Sequence, residues 1–182
     1  QTVAGMVTSE LQGLSAAGVY GMVKHFPGHG GTSGDSHDGA VSTDKTLEEL
    51  MAEELVPFQS AIDGGVNFVM VGHISAPNVT GDNAPATLSK VLITDVLRGQ
   101  MGYNGIVITD AMNMEAITGF YNSDKAAVLA VTAGADMILM PADYNTAYTG
   151  ILNAVNDGTI TEERINESVT RIVKAKLAMG QP

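Results

Sequence analysis

The sequence predicts a parallel α/β fold, and three observations lead to this prediction. Short apolar segments rich in β-branched residues recur along the 182-residue chain. Helical stretches alternate with them, and such alternation is typical of a parallel sheet. Each apolar segment also follows a helical stretch that ends in glycine, where a left-handed residue can close the helix before the chain enters the sheet.

Four short segments are predicted to be buried strands: 19–23, 67–71, 105–109 and 136–140. The glycines that precede them are Gly18, Gly64 with Gly65, Gly102 and Gly134. The predicted helices are residues 1–17, 46–63, 88–101, 123–133, 145–156 and 161–178. Thr46 and Glu49 have the spacing of a capping box, and Thr161 precedes two glutamates that favour the positive end of a helix dipole.

Composition limits the classes of partner. The chain is 45% hydrophobic and 16% charged, which is typical of a globular protein. Its net charge of -11 repels phosphate backbones and anionic headgroups, so we expect neither a nucleic acid nor a membrane partner. The apolar runs are shorter than the ~20 residues of a bilayer span, and no basic leader region opens the sequence. The lack of cysteine fits a reducing and an oxidising compartment equally.

The carboxyl ends of the predicted strands indicate where function lies. Parallel sheets bind ligands there, whether they close into a barrel or form an open doubly wound sheet. Three of the four strands end on an ionisable side chain, and the fourth strand is followed by Pro141 and, two residues later, by Asp143. The side chains after the first three strands are Lys24 and His25, then His73, then Asp110. For His73 a purely structural role is also compatible with the pattern.

A long glycine-rich loop follows the first predicted strand. Loops above about 12 residues in a compact domain are usually functional or disordered. A phosphate cradle is disfavoured because the loop lacks both the lysine-serine or lysine-threonine ending of a P-loop and the spacing of a dinucleotide fingerprint. A metal site remains open, since imidazole and carboxylate ligands suit zinc or iron. Its ligands would be His25, His29, Asp35 and His37.

The third interpretation of this loop is an acid/base dyad. Asp35 lies two residues before His37 and can orient its imidazole and stabilise the cationic form. Such a dyad needs a nucleophile nearby. Asp110, at the end of the third predicted strand, supplies a carboxylate at the same edge of the sheet.

Two motifs together resemble glycoside hydrolase family 3, in its single-domain β-N-acetylglucosaminidase branch. Residues 24–30, KHFPGHG, followed by Asp35-Ser36-His37, look like the signature loop of that branch. Residues 108–114, ITDAMNM, look like its nucleophile segment. The stretches LVPF at 55–58 and PATLS at 85–89 extend the similarity over nearly the whole chain.

The resemblance implies a (β/α)8 TIM-type barrel, of which residues 1–182 supply about the last four βα units, without a second domain. It implies a retaining hydrolase that removes terminal β-linked N-acetylglucosamine with neither a cofactor nor a metal. Asp110 would form the glycosyl-enzyme, and His37 with Asp35 would transfer protons. The residues expected to contact the sugar are Lys24, His25, His29 and His73.

The chain also departs from the family pattern. It has four strand–helix units where the family barrel has eight, and the segment with the family's substrate-binding arginine and aspartate is missing. We therefore expect a partner, either the missing N-terminal half-barrel or a second copy, and little activity from the chain alone. The aromatic content of 5% and the lack of tryptophan indicate no long polysaccharide cleft. The alternatives are a β-glucosidase or glycoside phosphorylase of the same family, a metal-dependent hydrolase and an inactive fragment.

Overall fold

The computed structural model describes residues 1–32 and 41–179. The elements of the first half are, in chain order, α1 (Thr2–Ala16), β1 (Met22–Phe26), β2 (Val41–Ser42), α2 (Leu47–Ala52), α3 (Leu55–Asp63), β3 (Phe68–Val71), β4 (Ile74–Ser75) and α4 (Pro77–Thr80). Those of the second half are a 3-10 turn (Ala86–Leu88), a π-helix (Val91–Gln100), β5 (Ile106–Thr109), α5 (Glu115–Thr118), α6 (Ser123–Ala133), α7 (Tyr144–Asn156) and α8 (Glu162–Met179).

The main sheet contains three parallel strands in the order β1-β3-β5. Met22 pairs with Phe68, and Phe68 pairs with Ile106. The spatial order is the order along the chain, without the reversal that marks the switch point of a doubly wound sheet. Strands β2 and β4 form a second, two-stranded parallel sheet near the carboxyl ends of β1 and β3.

Two of the predicted strands are corrected by the structure. β1 runs from Met22 to Phe26 rather than from Val19 to Val23, so Lys24 and His25 lie within the strand and not after it. Residues 136–140 form no strand, because only Met137 makes an isolated parallel bridge, to Ile108. Within the described residues, β5 is the only strand to which this segment bridges.

Most predicted helices are confirmed, with two changes. The helix predicted over 46–63 is divided into α2 and α3, because Pro57 has no N–H and its ring clashes with the carbonyl four residues earlier, that of Glu53. The helix predicted over 88–101 is the 3-10 turn followed by the π-helix. The capping box of Thr46 and Glu49 is present. The predicted left-handed caps have positive φ at Gly18, Gly65, Gly102 and Gly134.

The hydrophobic core lies between the helices and one face of the main sheet. Val69, Val71 and Val107 belong to this core together with side chains of α3, the π-helix and α6. Side chains that alternate with these point to the opposite face. Phe68 and Ile106 lie outside the core cluster. No helix among residues 1–32 and 41–179 has the length and apolar character to cross a membrane.

A buried carboxylate fixes the amino end of the sheet. The Asp136 side chain is fully buried and accepts hydrogen bonds from Arg98 at 2.6 Å, Ser168 at 2.6 Å and Arg171 at 3.0 Å. The backbone N–H of Val107 donates to it at 2.9 Å. Burial by itself raises the pKa of Asp136, but the positive charge of Arg98 and the bonds from Ser168 and Val107 outweigh it and hold the pKa below its usual range. The π-helix and α8 are thereby tied to β5.

Candidate active site

The carboxyl ends of β1 and β5 bring two of the expected site residues together. Nε2 of His25 lies 3.5 Å from Oδ2 of Asp110, and both side chains are partly exposed. Two backbone bonds through β3 fix this geometry. The Gly72 N–H donates to the Phe26 carbonyl at 2.9 Å, and the Asp110 N–H donates to the Val71 carbonyl at 2.8 Å. The sheet therefore determines the separation of the His25 and Asp110 side chains.

The two oxygens of Asp110 have different surroundings. Oδ1 accepts the backbone N–H of Ala111 at 2.8 Å, and Oδ2 faces His25. The side chain is 15% exposed, so it is accessible at the end of the strand. An oriented carboxylate with one oxygen held and the other facing an accessible edge can act as a nucleophile.

His73, which follows β3, is buried with both ring nitrogens engaged. Nε2 lies 2.9 Å from the Ala111 carbonyl oxygen, and Nδ1 lies 2.8 Å from Oγ1 of Thr87. A carbonyl oxygen only accepts, so Nε2 carries the proton and Nδ1 accepts from the Thr87 hydroxyl. Burial lowers the pKa of His73 against the opposing influences of the Ala111 carbonyl and the Asp110 charge. This placement differs from the expected sugar contact, because His73 is 1% exposed.

Lys24 and His29 lie beside His25 at the same edge. With His25 they line a cavity of about 460 Å³ between α1, β1 and α3, which Asp110 does not line. The His29 ring meets the His25 ring edge-on at a centroid distance of 6.1 Å. Its Nδ1 lies 2.9 Å from Oγ1 of Thr32. Three of the residues expected to contact the sugar are therefore neighbours.

The predicted dyad of Asp35 and His37 lies outside the described residues, so its relation to Asp110 stays a prediction. Within residues 1–32 and 41–179, no group of three or more histidine, aspartate or glutamate side chains is placed to hold a metal ion. Asp143, which was expected at a strand end, is exposed and caps α7 by accepting the Thr146 N–H at 2.7 Å.

The sequence does not predict Glu54 as part of the site, but in the structure Glu54 lies next to the glycine-rich loop at Gly28. Nζ of Lys45 donates to its Oε1 at 2.6 Å, while its Oε2 is buried and has no hydrogen-bond partner among the described residues. Hydrogen bonds to Glu53 and then to Glu54 raise the pKa of Lys45. In the sequence, two successive glutamates have the pattern of a solvated helix face, so no local signal distinguished Glu54. Thr87, in contrast, lies within the PATLS stretch that resembles the family.

Gly28→Ala is expected to destabilise the turn that joins His25 to His29. Gly28 has a φ of 126°, which L side chains rarely adopt, and a Cβ there would lie 2.7 Å from Cβ of Glu54. Backbone strain of this kind costs on the order of 1–3 kcal/mol. Thermal unfolding should therefore show a lower Tm.

Gly30→Ala is the matched control for this prediction. A Cβ at Gly30 meets no atom of the described residues within 4 Å, and its φ lies outside the left-handed region. The Gly30 variant should keep the stability of the parent within about 0.5 kcal/mol. Equal Tm values for the two variants would show that the contact between Gly28 and Glu54 is unimportant.

Comparison with known proteins gives consistent matches. Residues 1–175 match the family model described as the glycosyl hydrolase family 3 N terminal domain. The chain is 38% identical over 140 residues to a beta-hexosaminidase of Chromobacterium violaceum, across 77% of this chain and 39% of that protein. It is 32% identical over 188 residues to a protein of Cellulomonas fimi named beta-N-acetylglucosaminidase/beta-glucosidase, across 98% of this chain and 33% of that protein.

A solved structure agrees with these matches. The fold superposes on a glycoside hydrolase family 3 β-N-acetylglucosaminidase from Paenibacillus sp. str. FPU-7 with a TM-score of 0.91 and 43% identity, across 94% of this chain and 33% of that one. The chain thus spans only 33% to 39% of the length of these three proteins. Because the family model covers nearly all of its residues, the chain belongs to glycosyl hydrolase family 3 and lies within the N-terminal domain of that family.

Proposed function

We propose that this chain carries the nucleophile of a retaining β-glycosidase that removes terminal β-linked N-acetylglucosamine. The observation that supports this proposal most is the Asp110 carboxylate, oriented by Ala111 and facing His25 at the accessible end of β5. Family membership supports the class of reaction. The choice of sugar is supported by the names of the similar proteins from Cellulomonas fimi and Paenibacillus.

The proposed reaction is a double displacement. Oδ2 of Asp110 attacks the anomeric carbon, since Oδ1 is occupied by the Ala111 N–H. The bond to the leaving-group oxygen breaks as His37 donates a proton to that oxygen, and Asp35 stabilises the imidazole in its cationic form. His37 then takes a proton from water, whose oxygen attacks the anomeric carbon and releases Asp110. Two inversions at one carbon retain its configuration.

Lys24, His25 and His29 are proposed to bind the sugar hydroxyls. Lys24 is exposed and His25 and His29 are partly exposed, so each can meet a ligand. Imidazole nitrogens both donate and accept hydrogen bonds, and an ammonium group donates three, which suits hydroxyl groups. We propose that His73, which is buried, does not contact the sugar directly.

We infer that the chain forms about the last four βα units of a (β/α)8 barrel, with residues 1–182 in one domain. The unreversed strand order supports this, because neighbouring strands of such a barrel are consecutive in the chain. Met22, Phe68 and Ile106 are aligned across the sheet and lie outside the core cluster. In a (β/α)8 barrel, side chains on this face of the sheet point inward and fill the interior in layers, each contributed by alternate strands.

The outer edge of β1 supports the proposal that a further strand, from outside the described part of the chain, lies beside it. Within the described residues, β1 pairs with β3 alone. Beside it, α1 contributes Val7 and Leu11 to the wall of the 460 Å³ cavity. An unpaired strand edge next to an apolar wall is a surface on which another strand adds. We propose that the rest of the barrel, supplied by the same protein or by a second copy, occupies this surface.

Hydrolysis of aryl N-acetylglucosaminide and aryl glucoside, each with and without phosphate, tests the proposal. The N-acetylglucosaminide should be cleaved faster, with retention and without need of phosphate. The assay is run on the longest protein that the gene encodes, beside the 182-residue chain. The chain alone should be much slower, because positioning groups contribute up to about 7–11 kcal/mol in the best intramolecular cases.

Other outcomes of this assay would identify the alternatives. Faster glucoside cleavage would indicate a β-glucosidase. A phosphate requirement with a sugar 1-phosphate as product would indicate a phosphorylase. Loss of activity after treatment with a chelator would favour a metal-dependent hydrolase. Full activity of the isolated chain as a monomer would contradict the half-barrel proposal.

A further inference from the structure

We infer that His73 is a positioning residue that fixes the orientation of the Asp110 carboxylate through the peptide groups of Ala111. The inference rests on the proposed function, because it concerns the same nucleophile. It also assigns His73 a role other than sugar contact.

Three hydrogen bonds, two of them joined through the backbone of Ala111, carry the inference. The Thr87 hydroxyl donates to Nδ1 of His73 at 2.8 Å, and Nε2–H of His73 donates to the Ala111 carbonyl at 2.9 Å. The N–H of Ala111 then donates to Oδ1 of Asp110 at 2.8 Å. His73 is 1% exposed and Thr87 is 0% exposed, so water does not compete for these two groups.

The position of Ala111 explains why a separate anchor is useful. The parallel ladder ends with Thr109 beside Val71, and the Asp110 N–H makes the last bond to β3. Ala111 therefore lies beyond the ladder. Its carbonyl is held by His73 at 2.9 Å and, less closely, by the N–H of Met114 at 3.2 Å. The N–H of the same peptide group, that of Met112, donates to the Leu139 carbonyl at 2.9 Å. Without His73, the Ala111 carbonyl itself would keep only the longer turn contact from Met114.

The Ala111 carbonyl gives the imidazole a defined tautomer. A neutral histidine has one donor and one acceptor nitrogen, and which is which depends on its partners. Because the carbonyl at Nε2 only accepts, the proton resides on Nε2 and points at Ala111, and Nδ1 accepts from the Thr87 hydroxyl. A neutral ring is also consistent with its burial. The pair is thus a fixed donor aimed at one carbonyl.

Three substitutions separate positioning from packing. His73→Leu fills the space without a donor and should lower kcat about 10–100-fold with KM within about threefold, since a displacement of 1 Å can cost about 10²-fold. His73→Gln places an amide N–H near the former Nε2 and should restore kcat to within about fivefold of the parent. Thr87→Val removes the hydrogen bond at Nδ1 that holds the ring in place and should lower kcat about 3–10-fold. A side chain that serves packing alone would change Tm but not the kcat of the folded protein.

Thr94→Val is the matched control, because it removes the same kind of group, a threonine hydroxyl that makes one short hydrogen bond, here to the Ala133 carbonyl at 2.7 Å, away from the site. It should leave kcat unchanged. Nitrogen NMR of the parent should find the His73 proton on Nε2. Should His73→Leu fail to fold, the comparison of Thr87→Val with Thr94→Val decides.

Two kinds of failure are distinguishable. Parental kcat in folded His73→Leu, equal kcat in the two threonine variants, or a proton on Nδ1 in the parent would overturn the inference while leaving the glycosidase proposal intact. An unmodified protein that cleaves no aryl glycoside would overturn the proposed function itself.

Discussion

Asp110→Asn is expected to lower kcat for an aryl N-acetylglucosaminide by about 10⁴-fold or more, the magnitude seen when a catalytic nucleophile is removed. The amide keeps the shape of the side chain, and its carbonyl oxygen can still accept the Ala111 N–H. It lacks the negative charge and the nucleophilic oxygen that the first displacement requires. Stability should therefore change little compared with turnover.

The measurement combines steady-state kinetics with mass spectrometry. A 2-fluoro sugar with a good leaving group should leave its glycosyl group on the peptide that contains Asp110 in the parent and not in the variant. Asp143→Asn makes the same chemical change at an exposed carboxylate that caps α7, and it should keep parental turnover. Comparable kcat values for the two variants would remove Asp110 from the proposed mechanism.

Asp136→Asn is expected to lower the free energy of unfolding by about 3–5 kcal/mol at neutral pH. The carboxylate is fully buried against Arg98 and Arg171, and Arg164 lies 3.7 Å away. Replacing it with a neutral amide leaves buried guanidinium charges uncompensated. Since domains have only about 5–15 kcal/mol of stability, much of it depends on this side chain.

The stabilisation by Asp136 is expected to depend on pH in a defined direction. The folded-state pKa of Asp136 is lowered, so its ionised form stabilises the fold at pH values above the unfolded-state pKa. That contribution is lost as the pH falls through the folded-state pKa. Urea unfolding should therefore show a large difference between parent and Asp136→Asn at pH 7 and a smaller one at strongly acidic pH.

Asp95→Asn is the control, because Asp95 pairs with Lys90 at 2.8 Å on the surface. Exposed pairs contribute about 0–1 kcal/mol, so its urea midpoint should stay close to that of the parent. If Asp136→Asn and Asp95→Asn unfold at the same urea concentration at pH 7, the arginine cluster does not stabilise the amino end of the sheet as proposed.

The elements predicted best are those whose sequence signals are local. α6, α7 and α8 agree with the predicted helices within one residue at each end, because their helical patterns and caps lie within the segments themselves. β3 and β5 are confirmed in the same way. β1 begins and ends three residues later than predicted. The prediction followed the apolar run that begins at Val19, whereas the strand extends to Phe26, which is buried against the Phe58 ring at a centroid distance of 5.5 Å. A contact between distant segments thus decides the bounds of this strand.

The site was predictable to a similar degree. Asp110 and His25 were expected from the ends of strands, and the sheet places them 3.5 Å apart. The place of His73 was not predictable, because its burial and its bond to Thr87 depend on how the chain beyond β3 folds back. Glu54 was missed for the same reason, since its contact with the loop at Gly28 joins two segments that no periodicity relates.

The unreversed order of β1, β3 and β5 has a consequence for biosynthesis. β3 and β5 each pair with the main-sheet strand that was synthesised before them, so each can add to a strand that is already present. At about 5–20 residues per second, the roughly 40 residues between paired strands emerge in about 2–8 s. Helices form in about a microsecond, so each helix has time to form before the next strand arrives. The direction of translation and the direction of sheet growth therefore coincide.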